Sequence, residues 1–338
     1  MQPANSREPT HPVSFNLVTD WYIPENEDQP FLVYPGPITA ENEILYHAKK
    51  LREMILWRQG QVNDTLRDWR MNYRDIPFRV HRQRTVDGTM HILRRISTIL
   101  PELSDLGLPL EIQKMVSASS FGEFGGLVIV SGGPGHGKST TCAAILANRV
   151  KAFGLFCLTV EDPPEFSLHG EHVSNSGRIG KIVQVPAATE SFASDLKDAL
   201  RCYPSNMRGS MLMVGEVRDG DTAAQLLRSA MNGQLVFASI HASSPIAALE
   251  RLLSLAKEVM GQEEANALLA HSLRAVLQQR LDNGKISMDP LLSPNEHSPV
   301  AARIKQGNLA QLSSDVQQQN IWLKNNTLLM NIKRMGAT

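Results

Sequence analysis

The feature that most constrains this chain is the stretch VIVSGGPGHGKSTT at residues 128–141, which contains the pattern Gly132-x-x-x-x-Gly137-Lys138-Ser139. Its glycines permit a tight backbone turn whose N–H groups point inward at phosphate oxygens. In such a loop Lys138 reaches the β- and γ-phosphates of a nucleotide, and the Ser139 hydroxyl coordinates Mg²⁺. The predicted nucleotide-binding residues are Gly132, Gly133, Pro134, Gly135, His136, Gly137, Lys138, Ser139 and Thr140, with His136 as a variable position rather than a catalytic one.

The segments around this loop have the strand–loop–helix order that the motif requires. The preceding apolar run is typical of a buried parallel strand, and the Ala- and Leu-rich segment that follows favours a helix. Strands are predicted at 127–131, 155–160, 181–186, 211–214 and 235–239, and helices at 139–151, 190–202, 221–232, 244–258 and 262–280. This alternation indicates an α/β fold with a parallel sheet between helices. Asn232-Gly233 marks a helix end, and Ser244-Pro245 marks a helix start.

Composition and net charge indicate which class of protein this chain belongs to. The 338 residues are enough for two domains, and a formal net charge of zero argues against bulk attraction to nucleic acid or anionic lipid. No apolar run approaches the roughly 18 residues of a membrane span, and the first residues lack the pattern of a secretion signal. Cys142, Cys157 and Cys202 are scattered and without a CxxC pair, so they are expected to be reduced core or near-core thiols. A soluble cytoplasmic protein is expected.

The region before the P-loop domain is divided by composition. Residues 1–40 are rich in proline and polar residues and are predicted to be an extended or poorly ordered arm, whose WYIP and FLVYP segments are apolar enough to dock on a partner subunit. Residues 41–106 are predicted to form a small α+β domain. It begins with a helix that Thr39 caps and contains a hairpin at Asp87-Gly88. Residues 107–115 are expected to be a linker, 116–258 the P-loop domain and 259–338 a C-terminal helical subdomain.

Acidic residues follow two of the predicted strands, at the edge of the sheet where ligands bind in open α/β folds. Glu161, Asp162 and Glu165 come after the 155–160 strand and are candidates to orient or deprotonate an attacking water. An ordinary solvated loop is the alternative interpretation.

After the 211–214 strand, Glu216 is the Walker-B-like candidate for the Mg²⁺ shell, although Gly215 stands where many P-loop enzymes have aspartate. Arg218 and Asp219 are expected to form a local ion pair.

Histidines and arginines supply further candidates. His241 ends the 235–239 strand segment and is expected either to sense the γ-phosphate or to be a hydrogen-bonded core residue. His169 and His172 form a pair that a metal site would use, but no further ligand spacing supports one. The arginines between 79 and 95 have no interleaved aromatic residues, so sequence-specific binding of nucleic acid is not expected. The alternatives for them are a solvent-facing strand pair and a phosphate contact across a domain or subunit boundary.

The order of these motifs resembles that of the secretion ATPase superfamily, the hexameric motors of type II and type IV secretion, type IV pili and conjugation. EDPPE resembles its Asp box, MLMVGEVRD its Walker B segment and GQLVFASIHAS its His box. Similarity extends to SLRAVLQQRL and, more loosely, to FRVHRQRTVDGTMHILRRIS, so it covers most of the chain from about residue 75.

The resemblance implies a RecA-like ATPase domain, a PAS-like N-terminal domain and a homo-hexameric ring that uses ATP and Mg²⁺. It implies that Glu165 is the catalytic base, that Glu216 acts with Ser139 at the metal, and that His241 is the second His-box histidine. It also implies that Arg94 reaches a phosphate from the N-terminal domain. The ring would act at the cytoplasmic face of the inner membrane, on a membrane-embedded secretion or conjugation machine.

Two departures from the family pattern affect the prediction. Gln234 stands at the first His-box histidine, which places a two-histidine mechanism in question. The tetracysteine zinc module is absent, and this favours the PilT-like branch. The segment RRIS…ILPELSDLGLP most resembles DotB/TraJ-like ATPases of type IVB secretion and conjugal transfer. The alternatives are a pilus-retraction motor, a nucleotide-gated ring scaffold with little hydrolysis, and a small-molecule kinase.

Overall fold

The structure is a computed structural model, which describes residues 15–34, 42–61, 67–162, 164–187, 192–204 and 209–336. The chain divides into two compact units, Met1–Thr98 and Ile99–Thr338. None of the helices within the described ranges combines the length and the apolarity needed to cross a bilayer.

The first unit is an antiparallel sheet packed against one long helix. Its elements are β1 (Asp20–Pro24), β2 (Leu32–Tyr34), α1 (Asn42–Gln61), β3 (Asp68–Tyr73), β4 (Ile76–Thr85) and β5 (Gly88–Arg95). The strand order is β2-β1-β5-β4-β3. On α1, Ile44, Ala48, Leu51 and Ile55 are buried at helical spacing, so one face of the helix covers the sheet.

Part of the predicted arm belongs to this sheet. In β1, Trp21 and Ile23 are buried, and the strand pairs with β5 on one side and β2 on the other. The apolar residues of WYIP therefore dock on the chain's own sheet rather than on a partner subunit. The predicted hairpin is confirmed, because β4 and β5 pair through Thr85 and Gly88. The predicted cap Thr39 lies outside the described residues.

The second unit alternates strands and helices, as the sequence predicts. Its strands are β6 (Gly126–Ser131), β7 (Phe156–Glu161), β8 (Gly170–Val173), β9 (Ile179–Pro186), β10 (Met211–Val214), β11 (Leu235–Ile240), β12 (Leu273–Asp282) and β13 (Lys285–Leu292). Its α-helices are α2 (Leu110–Ser117), α3 (Lys138–Phe153), α4 (Phe192–Ala199), α5 (Gly220–Met231), α6 (Pro245–Met260), α7 (Gln262–Ser272), α8 (Pro299–Lys305), α9 (Leu312–Lys324) and α10 (Leu328–Gly336). Short 3-10 turns lie at Phe15–Leu17, in the first unit, and at Leu103–Leu106, Leu200–Cys202 and Leu309–Gln311.

The sheet of this unit has the order β13-β12-β6-β11-β10-β7-β9-β8. The strands from β12 to β9 pair in parallel, and β8 and β13 add antiparallel edges. Every residue of β6, β7, β10 and β11 is buried, because helices cover both faces of the sheet. Helices α2, α3 and α10 contribute to one core layer, and α4 to α8 to the other.

Local signals placed two helix boundaries correctly. Helix α5 ends at Met231, and Gly233 beyond it has a φ of 82°. Helix α6 begins at Pro245, and the Ser244 hydroxyl accepts a hydrogen bond from the Ala247 N–H at 3.1 Å. Both boundaries depend on contacts within a few residues, which a sequence pattern can encode.

Other boundaries differ from the predictions. The helix expected over 262–280 ends at Ser272, and β12 follows because consecutive buried residues 275–277 pair with β6 and β13. The segment expected to be a linker contains most of α2, whose Ile112 and Val116 are fully buried. Cys142 and Cys157 are buried free thiols as expected, whereas Cys202 is exposed.

Candidate nucleotide-binding and catalytic site

The P-loop connects the end of β6 to the start of α3, as the motif requires. Gly135 and Gly137 have φ values of 73° and 78°, a left-handed conformation that only glycine adopts without strain. Lys138 is the first residue of α3, so the unpaired N–H groups of this helix end face the loop. Free N–H groups at a helix N-terminus are suited to binding an anion.

A cavity of about 490 Å³ opens beside this loop, at the carboxyl ends of β6, β7, β10 and β11. Of the predicted site residues, those that line it are Pro134, Gly135, Gly137, Lys138, Ser139, Thr140, Glu165, Glu216 and His241. Residues from four separate stretches of the chain therefore meet in one volume. Glu161, Asp162 and Arg218 also line this cavity.

Lys138 is held inside the cavity and is 7% exposed. Its Nζ donates a hydrogen bond to the Gly133 carbonyl at 2.9 Å and lies 3.3 Å from Nδ1 of His241. Burial lowers the pKa of Lys138, and the negative charges of Glu216 and Glu165 oppose this shift. A phosphate in the cavity would supply the negative charge that a desolvated ammonium requires.

Glu216 follows β10 and has partners on both sides. Its Oε1 lies 3.5 Å from Nε2 of His241, and its Oε2 accepts from the Arg218 guanidinium at 2.9 Å. Arg218 also lies 3.4 Å from Asp162, so it connects the loops after β10 and β7. The predicted Arg218–Asp219 pair is wrong, because Asp219 instead caps α5 by accepting from the Thr222 N–H at 2.8 Å.

The acids after β7 lie in different environments. Glu165 is exposed to the cavity, whereas Glu161 is 4% exposed. Burial raises the pKa of Glu161, and hydrogen bonds from Thr159 and Gln184 act against that rise. Both acids line the cavity, and Glu165 is the more exposed of the two.

Two glutamines of β12 support the loops and were missed by the sequence analysis. Gln279 donates from Nε2 to the His136 carbonyl at 2.7 Å, and its Oε1 accepts from the Thr141 hydroxyl at 2.8 Å. Its neighbour Gln278 accepts from the Ser131 hydroxyl at 2.5 Å and donates to the Ala242 carbonyl at 3.1 Å. Their signal in the sequence is a polar pair inside the apolar run SLRAVLQQRL.

The part of the loop nearest to β12 contains Gly132, Gly133 and His136. These three residues do not line the cavity. A Cβ atom on Gly132 would lie 2.5 Å from the Gln279 carbonyl oxygen. The His136 Nδ1 accepts from the Gly133 N–H at 3.3 Å. These residues therefore fix the conformation of the loop from its outer side.

Gln234 stands at the opposite end of β11 from His241. It precedes the first residue of that strand, and its carbonyl accepts from the Gly126 N–H at 3.0 Å. Seven residues of extended chain at about 3.3 Å each separate the two positions by roughly 20 Å. Gln234 is therefore not among the residues that line this cavity.

The remaining candidates are Arg94, His169 and His172. Arg94 is on β5 in the first unit, where its Nε donates to the Asp20 carboxylate at 2.7 Å. His172 lies 2.8 Å from the Leu168 carbonyl, and His169 accepts from the Gln184 N–H at 3.2 Å. The two histidines thus have local hydrogen-bonding partners.

The residues in the cavity fit a Mg²⁺ nucleotide. Ser139 and Glu216 offer the hydroxyl and carboxylate oxygens that Mg²⁺ prefers, and the helix end and Lys138 offer positive charge to phosphates.

Comparison with known proteins agrees with this geometry. Residues 37–289 match the family described as "Type II/IV secretion system protein". The "Twitching motility protein" of Neisseria gonorrhoeae is 30% identical over 246 residues, which are 71% of this chain and 61% of that protein. The chain thus spans less than two thirds of the length of this relative.

Solved structures show the same fold. The pilus retraction motor PilT with bound ADP is 25% identical, with a TM-score of 0.67 over 89% of this chain and 86% of that one. The Legionella pneumophila ATPase DotB is 20% identical, with a TM-score of 0.65 over 91% of this chain and 84% of that one. The chain belongs to the type II/IV secretion system protein family.

Proposed function

We propose that this protein is a Mg²⁺-dependent ATP-hydrolysing motor of a type IV secretion or conjugal DNA transfer system, of the type IVB-like kind. The observation that carries the proposal is the single cavity lined by Lys138, Ser139, Glu165 and Glu216. Binding of phosphate alone would need only the loop and the lysine. Hydrolysis also requires a carboxylate that orients or deprotonates the attacking water, and this cavity contains carboxylates.

Each side chain has one role in this proposal. The loop amides and Lys138 bind the phosphates, and Ser139 and Glu216 hold Mg²⁺, which neutralises charge that develops on the phosphate oxygens. Glu165 orients the attacking water and accepts its proton. His241, close to both Lys138 and Glu216, connects the phosphate end of the cavity to the metal end.

The remaining parts of the proposal concern assembly. Six copies would form a homo-hexameric ring at the cytoplasmic face of a membrane-embedded machine, with Arg94 contacting a phosphate in the assembled ring. Hydrolysis would be coupled to relative motion of the two units. The motif order supports this arrangement, and we expect no sequence-specific contact with nucleic acid.

A pilus-retraction motor is the second candidate. It is favoured by the gonococcal relative, whose name refers to twitching motility, and by the TM-score of 0.67 to the pilus retraction motor PilT. Both candidates use the same chemistry and differ in the cargo. Co-purification of the full chain from its native cells separates them, because pilin-assembly proteins indicate a pilus, and a relaxase or coupling protein indicates conjugation.

The ATPase activity is tested by steady-state phosphate release from the purified full-length protein. We expect Mg²⁺-dependent turnover that Lys138→Ala and Glu165→Gln each lower by roughly 10²-fold or more. Lys257→Ala, which removes an exposed lysine of α6, is the matched control and keeps wild-type turnover. A wild-type ring that binds ATP without turnover would support the scaffold alternative, and full activity of Lys138→Ala would refute the site.

A further inference from the structure

The loop that carries Glu165 is held by side chains rather than by a regular strand ladder. Residues 164–169 include one isolated bridge residue, Phe166, and otherwise no helix or strand. A catalytic carboxylate on such a segment requires some other support, because a displacement of about 1 Å can cost roughly 10²-fold in rate.

Gln184 supplies most of this support from the neighbouring strand β9. Its Oε1 accepts from the N–H groups of Leu168 at 2.7 Å and His169 at 2.9 Å. Its Nε2 donates to the Phe166 carbonyl at 3.0 Å and to Glu161 Oε1 at 3.1 Å. A carboxamide has two acceptor positions and two N–H donors, so the hydrogen-bonding capacity of this side chain is fully used.

Glu161 holds the same loop from the strand that precedes it. Its Oε1 accepts from the Thr159 hydroxyl at 2.7 Å as well as from Gln184. The backbone of Glu165 opposes the effect of burial and lowers the pKa of this carboxylate. Since Thr159 and Gln184 are paired in the register of β7 and β9, sheet pairing itself places the supporting groups together.

The contacts therefore bracket Glu165. Gln184 holds the three positions 166, 168 and 169 that follow Glu165, and its hydrogen bond to Glu161 connects them to the strand that precedes it. The side chain of Glu165 itself faces the cavity, whereas Gln184 is not part of the cavity lining.

We propose that Gln184, acting with Glu161, is a positioning residue that sets the place of Glu165 in the cavity without touching the nucleotide. The proposal rests on the proposed function, because it assigns Gln184 to the same hydrolytic step. The positioning role predicts that loss of Gln184 lowers the rate of turnover and leaves the affinity for nucleotide unchanged.

The test is Gln184→Met in the full-length protein, with kcat for phosphate release and Kd for a fluorescent ATP analogue measured together. We expect kcat to fall roughly 10- to 100-fold with Kd within about twofold of wild type. Faster amide hydrogen exchange at Leu168 and His169 would show that the loop was released. In the Glu165→Gln background, the same substitution is expected to have no further effect on residual turnover.

Gln319→Met is the matched control for general destabilisation. Gln319 is a buried glutamine of α9 that exchanges two hydrogen bonds with the Leu292 backbone at 2.7 and 3.1 Å. Its loss weakens the fold but is expected to leave kcat unchanged at temperatures where the protein is folded.

The outcomes separate the two proposals. No turnover in wild type, or full turnover in Glu165→Gln, would refute the proposed function or its base. An inactive Glu165→Gln with a fully active Gln184→Met would refute the positioning role alone. So would a rise in Kd that matches the fall in kcat, or an additional loss in the Glu165→Gln background.

Discussion

The close approach of Gly132 to β12 leads to a quantitative prediction for the P-loop. An alanine Cβ at position 132 would lie 2.5 Å from the Gln279 carbonyl oxygen, which is backbone of a strand paired on both sides. The strand cannot retreat, so the loop must move. Overpacking of this kind costs about 1–3 kcal/mol, while alanine reduces the entropy of the unfolded chain by about 0.4–1 kcal/mol. We expect Gly132→Ala to lower the free energy of unfolding by about 1–2 kcal/mol.

The adjacent glycine provides the control. At position 133 the nearest atom to an added Cβ is in the His136 ring at 3.3 Å, a side chain that can adjust. Gly133→Ala is therefore expected to be neutral or up to about 1 kcal/mol stabilising. The measurement is urea denaturation of the nucleotide-free protein followed by far-ultraviolet circular dichroism, since helices α2 to α10 lie in the second unit. Equal stability of the two variants would refute the argument that β12 limits the loop.

Three further predictions concern support outside the cavity. The Glu111 carboxylate accepts hydrogen bonds from the first two N–H groups of α10 at 2.8 and 3.3 Å. We expect Glu111→Gln to destabilise this helix end by about 1 kcal/mol and to speed its amide hydrogen exchange. Unchanged exchange would contradict this prediction. Arg149 is buried and donates hydrogen bonds to three backbone carbonyls at 2.6–2.8 Å. We expect Arg149→Met to lower the free energy of unfolding by about 3 kcal/mol, measured as a fall in Tm. An unaltered Tm would contradict this role. Burial lowers the pKa of His91 to about 4. The neutral form of His91 therefore stabilises the folded state above pH 6.5, and this contribution is lost as the pH falls from 6.5 towards 4. The free energy of unfolding is expected to fall by roughly 3 kcal/mol at most. Tryptophan fluorescence of the first unit in urea, with His91→Gln expected to flatten this dependence, is the check.

The P-loop, its flanking strand and helix, the end of α5 and the start of α6 were predictable because each depends on a few adjacent residues. The glycines of the loop, the Ser244 cap and Gly233 act through their own backbone angles or through hydrogen bonds three or four residues away. The order of the strands also indicated which acids would follow a carboxyl end of the sheet.

The boundary between α7 and β12 was not predictable from the same kind of evidence. An apolar run of this length suits a buried strand or a buried helix equally by periodicity. This segment forms a strand because it pairs with β6 on one side and with β13 on the other. The same is true of β1, whose place beside β5 depends on a partner about seventy residues away.

The sequence by itself determined the P-loop between a strand and a helix, because the conformation of that loop depends on local backbone geometry. Only the tertiary structure decided how far each acid is exposed in the cavity and which side chains hold the loops. Glu161 and Glu165 are four residues apart, yet one is buried and the other exposed. Gln184, Gln278 and Gln279 become supports because sheet register places them beside loops far away in the chain, and distant register leaves no local pattern to detect.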